Sequence, residues 1–208
     1  MSRVLGPVGG WKVGIANSEA EPSCAPVYRD CILGSGAVLP SAQCQALSLE
    51  IEFAFLLRRD LPGRSGGYRP DEIAQAVDFV PLIEVIGSRY RDPLGLAPAE
   101  LLADANGNRT FILGGPVARW RDLDFRTVRV ELAIDDRVVQ SACGTHPAGD
   151  PIRLVVWLAD HVAARCGGLK SGEVVTTGSL QGATPIAAGS RAIGTWGSWG
   201  RVAVEVAL

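Results

Sequence analysis

The stretch SLEIEFAFLL, residues 48–57, decides the fold because its side chains alternate between two kinds. Strand side chains point to opposite faces with a period of two, so Glu50 and Glu52 share one face. The opposite face is apolar and carries Ile51, Phe53, Phe55 and Leu57. The glutamate face continues into Ala54 and Leu56, which indicates that this face is buried as well.

A third glutamate lies in a second strand-like run, PLIEVIG (81–87), where Ile83 and Val85 point away from Glu84. Neither run contains Lys or Arg, and a carboxylate in apolar surroundings is costly unless a positive charge compensates it. Oxygen ligands on rigid strands suit Mg²⁺ or Mn²⁺. The pattern therefore predicts a metal site at Glu50, Glu52 and Glu84. The alternative is the solvated face of an antiparallel strand, where polar residues alternate routinely.

Length and composition predict one domain of ordinary size. The chain has 208 residues and a formal net charge of −2, with Lys and Arg scattered along it, so neither nucleic acid nor an anionic membrane is an expected partner. The sequence has no apolar segment of about 20 residues and no secretory signal, which predicts a soluble cytoplasmic protein. Five cysteines without a C-x-x-C pair predict neither a disulfide framework nor a zinc site.

The distribution of 25 glycines and 13 prolines favours a strand-rich fold with tight turns. Strands are predicted at 11–16, 50–58, 79–87, 128–135, 137–144, 173–179, 190–196 and 202–208, and helices at 69–78 and 97–105. A longer helix is predicted after Asp150, ending at Gly167. The loop PGRSGGYRP (62–70) is either a mobile flap or a surface excursion.

Five segments resemble, in order and spacing, the fumarylacetoacetate hydrolase superfamily and its 2-keto-4-pentenoate hydratase branch. They are GWKVGIANS (10–18), LEIEFAFLLRRDLP (49–62), AVDFVPLIEVIGSRY (76–90), LLADANGNRTFILGGP (101–116) and GEVVTTGSLQGATPIAAG (172–189). The resemblance implies an α+β, strand-rich fold of mixed β-sheets rolled around a core with a few helices. It also implies that residues 1–208 are one catalytic domain without the usual N-terminal helical segment, that the protein is a homo-oligomer, and that Glu50, Glu52 and Glu84 hold the metal.

The resemblance also suggests three candidate proton-transfer groups. Lys12 lies in the GWKVG segment, where it either transfers a proton or clamps a substrate carboxylate; otherwise its stem covers the sheet and its head reaches solvent. Asp104 is placed near the active site by the family, although turn formation also explains it. Asp30 is the third candidate, in a region that looks shorter than in the relatives.

The remaining candidates are substrate-binding residues. Thr177, Gly178 and Ser179 end a β-branched run, and the family uses this segment around the substrate. Asn106 belongs to the same D-x-N turn as Asp104. Arg89 is able to bind a carboxylate in a bidentate fork, but a surface ion pair explains it equally well.

The function that the resemblance implies is a metal-dependent lyase of aromatic catabolism. Its substrate is a short 2-hydroxydienoate or 2-oxo acid, and hydration is the favoured reaction. Decarboxylation of a 4-oxalocrotonate-type diacid and hydrolysis of an acylpyruvate are alternatives, because all three reactions need the same negative charge stabilised. The alternative of another class is a catalytically inactive assembly subunit.

Overall fold

A computed structural model of the protein describes residues 6–17, 19–40, 47–90, 92, 95–144 and 146–208. Within these residues the chain forms thirteen β-strands and three α-helices. The strands are β1 (Val8–Gly14), β2 (Ser23–Tyr28), β3 (Ile32–Gly34), β4 (Ala37–Leu39), β5 (Ser48–Leu57), β6 (Val77–Ile86), β7 (Asn108–Leu113), β8 (Arg129–Ile134), β9 (Arg137–Cys143), β10 (Val174–Ser179), β11 (Thr184–Pro185), β12 (Arg191–Trp196) and β13 (Arg201–Val206). The helices are α1 (Pro70–Ala76), α2 (Pro98–Ala103) and α3 (Ile152–Cys166).

The strands form two mixed sheets. The larger has the order β2-β1-β10-β5-β6-β7-β3, with β11 added beside β5, and the smaller has the order β4-β13-β12-β8-β9. Strands β2 and β3 lie at opposite edges of the larger sheet, yet only the short 3₁₀ turn Arg29–Cys31 joins them along the chain. The larger sheet therefore has to curl until its edges approach each other. The predicted α+β fold of rolled mixed sheets is confirmed.

The curl gives the larger sheet an inner and an outer face with different packing. The inner face carries a small apolar cluster drawn from five strands: Val27, Ala54, Val80, Leu82, Phe111 and Val174. The outer face carries the main core, which includes Phe53, Phe55 and Phe79 and also packs against α3 and the smaller sheet. Strands β5 and β6 are buried on both sides, which the sequence of residues 48–57 predicted for β5.

Helix α3 follows its sequence signals closely. The Asp150 side chain accepts a hydrogen bond from the backbone N–H of Ile152, and Gly167 ends the helix with φ at +74°. The predicted helix at 69–78 is shorter than expected, because β6 begins at Val77, directly after α1. Strands β2, β3, β4, β7 and β11 were not predicted: each is too short, or too interrupted by turn residues, to show a clear period.

The loop at 62–70 lies on the surface and makes contacts within itself and with α1. The Arg64 guanidinium pairs with Glu72 and lies over the Tyr68 ring, and the Tyr68 hydroxyl donates to the Pro62 carbonyl. The loop follows the end of β5 that is distant from Glu50. Among the described helices, none has the length and apolarity that crossing a membrane requires.

The structure also places the C-terminal apolar run and four of the five cysteines. The C-terminal apolar run belongs to β13, where Val202, Val204 and Val206 are buried in the core, so its apolar character serves packing within the chain. Assembly into a homo-oligomer stays a prediction. Cys24, Cys31, Cys143 and Cys166 are free thiols, and Cys44 lies outside the described residues.

Candidate metal centre

The three glutamates meet on the inner face of the curled sheet. Strands β5 and β6 pair antiparallel with Glu50 directly opposite Glu84, and Glu52 follows two residues later on the same face. One oxygen from each carboxylate lies within 4.8 Å of the others. Glu52 and Glu84 are 0% exposed and Glu50 is half-buried. This burial excludes the solvated strand face as an explanation for Glu52 and Glu84.

Within the described part of the chain, Glu52 is held through one of its two oxygens. Its Oε2 accepts hydrogen bonds from the Thr176 hydroxyl and, at 3.3 Å, from the backbone N–H of Gly178. The register of β10 against β5 shifts between Thr176 and Ser179, and Gly178 has φ at +95°, a conformation that favours glycine. Its Oε1 is buried and has no hydrogen-bond partner among the described residues.

Glu84 repeats this arrangement with different donors. Its Oε1 accepts from Lys12 Nζ at 2.8 Å and from Asn108 Nδ2 at 2.8 Å. Its Oε2 is also buried, without a partner in the described part of the chain. Lys12 reaches this point from β1, which can lie against β10 because residue 10 is glycine: a Cβ there would stand 2.4 Å from the Val174 carbonyl oxygen.

The electrostatics of the cluster are those of excess negative charge. Burial raises the pKa of Glu52 well above its usual value, the charge of Glu84 raises it further, and Lys12 only partly opposes both. Burial likewise raises the pKa of Glu50. Burial alone would lower the pKa of Lys12, but the charges of Glu84 and Glu52 outweigh it and the pKa is raised. One ammonium therefore faces three carboxylates.

These residues fit a hard divalent cation. Two buried carboxylate oxygens that have no partner among the described residues lie next to a third carboxylate, and such oxygens are costly unless something positive binds them. An all-oxygen donor set is the one that Mg²⁺ and Mn²⁺ prefer. The cluster could hold a divalent metal, as the sequence predicted from Glu50, Glu52 and Glu84.

Asp104 and Arg89 bind each other. The Arg89 guanidinium donates to Asp104 Oδ1 at 2.9 Å, while Oδ2 accepts from the Ser88 hydroxyl at 2.8 Å and from the Arg89 backbone N–H at 3.1 Å. Burial raises the pKa of Asp104, but these hydrogen bonds outweigh it and hold the pKa below its ordinary value. The ion pair that the sequence left open for Arg89 is thus present, and both Asp104 oxygens are occupied.

The other predicted residues differ in their burial and in their hydrogen-bond partners. Thr177 is buried and its hydroxyl donates to the Phe53 carbonyl, so this hydroxyl is directed into the sheet and away from the glutamates. Ser179 Oγ accepts from the backbone N–H groups of Gln181 and Gly182 in a turn. Asn106 is half-buried with φ at +51°. Asp30 is exposed, in the turn between β2 and β3, outside the carboxylate cluster.

Sequence reasoning missed three residues that shape the site: Thr176, Asn108 and His146. Thr176 precedes the T-G-S segment by one position, and only its pairing with Ala54, on the face of Glu52, shows which hydroxyl meets that carboxylate. His146 is buried, its Nε2 lies 2.9 Å from the Thr177 carbonyl, and its Nδ1 accepts from the Ala148 N–H. Since Nδ1 accepts, Nε2 carries the proton and donates. No local pattern in the sequence indicates that contact.

Comparison with known proteins identifies the family to which the chain belongs. A family model described as Fumarylacetoacetate (FAA) hydrolase C-terminal matches residues 18–204. The chain belongs to this family.

Curated relatives and a solved structure are similar over most of the chain. The 2-keto-4-pentenoate hydratase 1 of Dechloromonas aromatica (strain RCB) is 28% identical over 173 residues, 82% of this chain and 64% of the relative. The 4-oxalocrotonate decarboxylase of Pseudomonas sp. (strain CF600) is 32% identical over 155 residues, 74% of this chain and 58% of the relative. The chain thus spans less than two thirds of the length of these relatives.

The structural likeness concerns the fold. The 4-oxalocrotonate decarboxylase from Pseudomonas putida G7, complexed with magnesium and adipate, superposes with a TM-score of 0.84 at 24% identity. The match covers 99% of this chain and 80% of that one.

Proposed function

We propose that this protein is a divalent-metal-dependent hydratase of a short 2-hydroxydienoate, with Mg²⁺ or Mn²⁺ held by Glu50, Glu52 and Glu84. The observation that carries the proposal is the shared design of Glu52 and Glu84. Each buried carboxylate has one oxygen bound by two donors and the other oxygen without a partner among the described residues. An inactive assembly subunit has no use for such an arrangement, since unpaired buried carboxylates destabilise the fold.

The reaction needs negative charge stabilised on the 2-oxo acid as the dienol becomes a ketone. A divalent cation bound by the three carboxylates supplies that Lewis-acid stabilisation. Water then adds to the carbon conjugated to the ketone, its oxygen bonding there and a proton going to the neighbouring carbon, which gives a 4-hydroxy-2-oxo acid. The relatives named 2-keto-4-pentenoate hydratase support this choice of reaction.

Lys12 is the proposed residue at the reacting centre. The Lys12 ammonium has three N–H donors, and one of them binds Glu84. Because the side chain is 14% exposed, the other two can orient a substrate carboxylate or pass a proton. Asp104 is proposed to act indirectly, because both its oxygens are occupied by Ser88 and Arg89. Thr177, Gly178 and Ser179 are proposed to shape the wall beside Glu52, with the Gly178 N–H as the direct contact.

Three predicted residues keep proposed roles of a different kind. Arg89, with its guanidinium on Asp104, and Asn106, in the adjacent turn, are proposed to border the substrate. Asp30 is proposed only as a surface acid that exchanges protons with solvent, since it is exposed.

Decarboxylation of a 4-oxalocrotonate-type diacid is the second candidate. It is supported by the relative of that name and by the fold of the solved decarboxylase. Cytoplasmic location stays a prediction.

The test is catalysis by chelator-treated protein with and without added Mg²⁺ or Mn²⁺. Loss of diene absorbance is followed with 2-hydroxypentadienoate, and 4-oxalocrotonate and an acylpyruvate are run in parallel. We expect metal-dependent turnover of the dienoate and at least about 100-fold less with Glu84→Ala, because a Lewis acid contributes several kcal/mol. Glu205→Ala, which removes an exposed carboxylate from β13, is the matched control and should be as active as wild type.

The metal is tested separately by thermal unfolding. A ligand that binds only the folded state stabilises it, by about 2.7 kcal/mol at 100 times its Kd, so millimolar metal should raise the melting temperature of wild type and of Glu205→Ala. Equal slow rates in wild type and Glu84→Ala, with no thermal shift, would support the inactive subunit instead.

A further inference from the structure

Asn108 is a buried polar residue next to the metal centre that the proposed chemistry does not use. The residue is only 3% exposed, among the most buried polar residues described, and its Nδ2 donates to Glu84 Oε1 at 2.8 Å. It is the first residue of β7, the strand beside β6. The contact therefore joins a metal-centre carboxylate to a strand that supplies none of the three glutamates.

A β-bulge brings Asn108 to the inner face. Strand β7 pairs with β6 so that Phe111 lies opposite Glu84 and Thr110 opposite Val85, but Asn108, not Arg109, lies opposite Ile86. The extra residue shifts the alternation by one. Without it Asn108 would share the outer face with Thr110, whereas the bulge places it on the face of Glu84. Bulges commonly re-aim a side chain in this way at functional sites.

Two donors on one oxygen determine how the Glu84 carboxylate is turned. Lys12 and Asn108 come from β1 and β7 and both bind Oε1, so Oε2 is the oxygen left without a partner among the described residues. The ammonium of Lys12 ends a flexible four-carbon stem and is able to follow either oxygen. The side chain of Asn108 is short and starts from a bulged backbone, so its amide binds Oε1 in one position.

We propose that Asn108 is a positioning residue of the metal centre, whose amide fixes Glu84 so that Oε2 is presented to the cation. The inference rests on the proposed function in requiring a cation at this centre. It adds a residue outside the ligand set, acting through Glu84. Partners of this kind change metal affinity by about 10-fold to 100-fold when they are removed.

The test measures Mn²⁺ affinity directly, by the electron paramagnetic resonance signal of free Mn²⁺ in titrations of chelator-treated protein. Asn108→Ala removes the donor, and Asn108→Leu removes it while keeping the side-chain volume. Thr110→Ala is the matched control, because it shortens a side chain of the same strand on the opposite face. Melting temperatures in chelator are recorded for every variant.

We expect Asn108→Ala and Asn108→Leu to bind Mn²⁺ about 10-fold to 100-fold more weakly than wild type, and Thr110→Ala to bind as wild type does. If Asn108→Ala fails to fold, Asn108→Leu decides. Wild-type affinity in a folded Asn108 variant, even with a lowered melting temperature, overturns the positioning role and leaves the metal centre standing. Absence of Mn²⁺ binding by wild type overturns the proposed function, and this inference with it.

Discussion

The two faces of β5 and β6 differ in how completely their side chains are satisfied. On the outer face Phe53 packs against Phe79 and Phe125 with ring centroids 5.7 and 4.9 Å apart. On the inner face Glu52 and Glu84 each keep a buried oxygen without a partner in the described chain. The same strands thus contribute to the main core through one face and carry the carboxylates of the candidate metal centre on the other. Because side chains alternate, a substitution can address either face without the other.

Glu52→Gln should give the largest effect, on catalysis. The Thr176 hydroxyl and the Gly178 N–H hold an oxygen at the Oε2 position, so the new amide is expected to turn its NH₂ group toward the cation position. We expect metal-dependent turnover of 2-hydroxypentadienoate to fall by at least about 100-fold. The free energy of unfolding in chelator should be unchanged or higher, since a buried charge is removed. A large loss of stability in urea denaturation would contradict the division between the faces.

Phe53→Ala tests the opposite face of the same strand. Phe53 is 0% exposed, and truncation of such a ring costs about 3–5 kcal/mol of unfolding free energy. Denaturation in urea measures this loss. Mn²⁺ affinity, determined at a temperature where the variant is folded, is expected to stay within about threefold of wild type, because the ring points away from the carboxylates. A loss of affinity as large as that of a ligand variant would show that the faces are coupled.

Substitution of His146 should give the smallest effect on stability. This residue connects the outer-face core to the segment of β10 that binds Glu52. Its ring packs against Phe53, with centroids 6.2 Å apart, and its Nε2 donates to the carbonyl of Thr177, next to Gly178. Burial lowers the pKa of His146, against smaller opposing effects of the Thr177 carbonyl and Asp150. The folded state therefore binds this proton less readily than the unfolded state does.

The stabilisation from neutral His146 should be fully present above about pH 6.5 and be lost as the pH falls below that value toward the folded pKa. Wild type should lose unfolding free energy between about pH 7 and pH 5 relative to His146→Gln, which cannot titrate. Urea denaturation across this range measures the difference. A constant difference between the two proteins would show that His146 does not titrate differently on folding.

The carboxylate cluster could be predicted from sequence because strand alternation is a local property. Residues 48–57 show which face carries Glu50 and Glu52, and the PLIEVIG run does the same for Glu84. The hydroxyl that faces Glu52 could not be read in this way. Thr177 was predicted and Thr176 is found, because the strand pairing, which places Thr176 opposite Ala54 on the face of Glu52, decides which side of β10 points inward.

The sequence alone determined the periodic features: two strands buried on both faces, the long helix from Ile152 to Cys166, and the carboxylate type of the site. Tertiary structure decided which groups meet there. Lys12 and Thr176 reach the glutamates from β1 and β10 through strand order, and Asn108 reaches them from β7 through strand order and a β-bulge. Alternation follows from the geometry of each residue, whereas sheet order and bulges follow from the lowest free energy of the whole packed chain, which no local window contains.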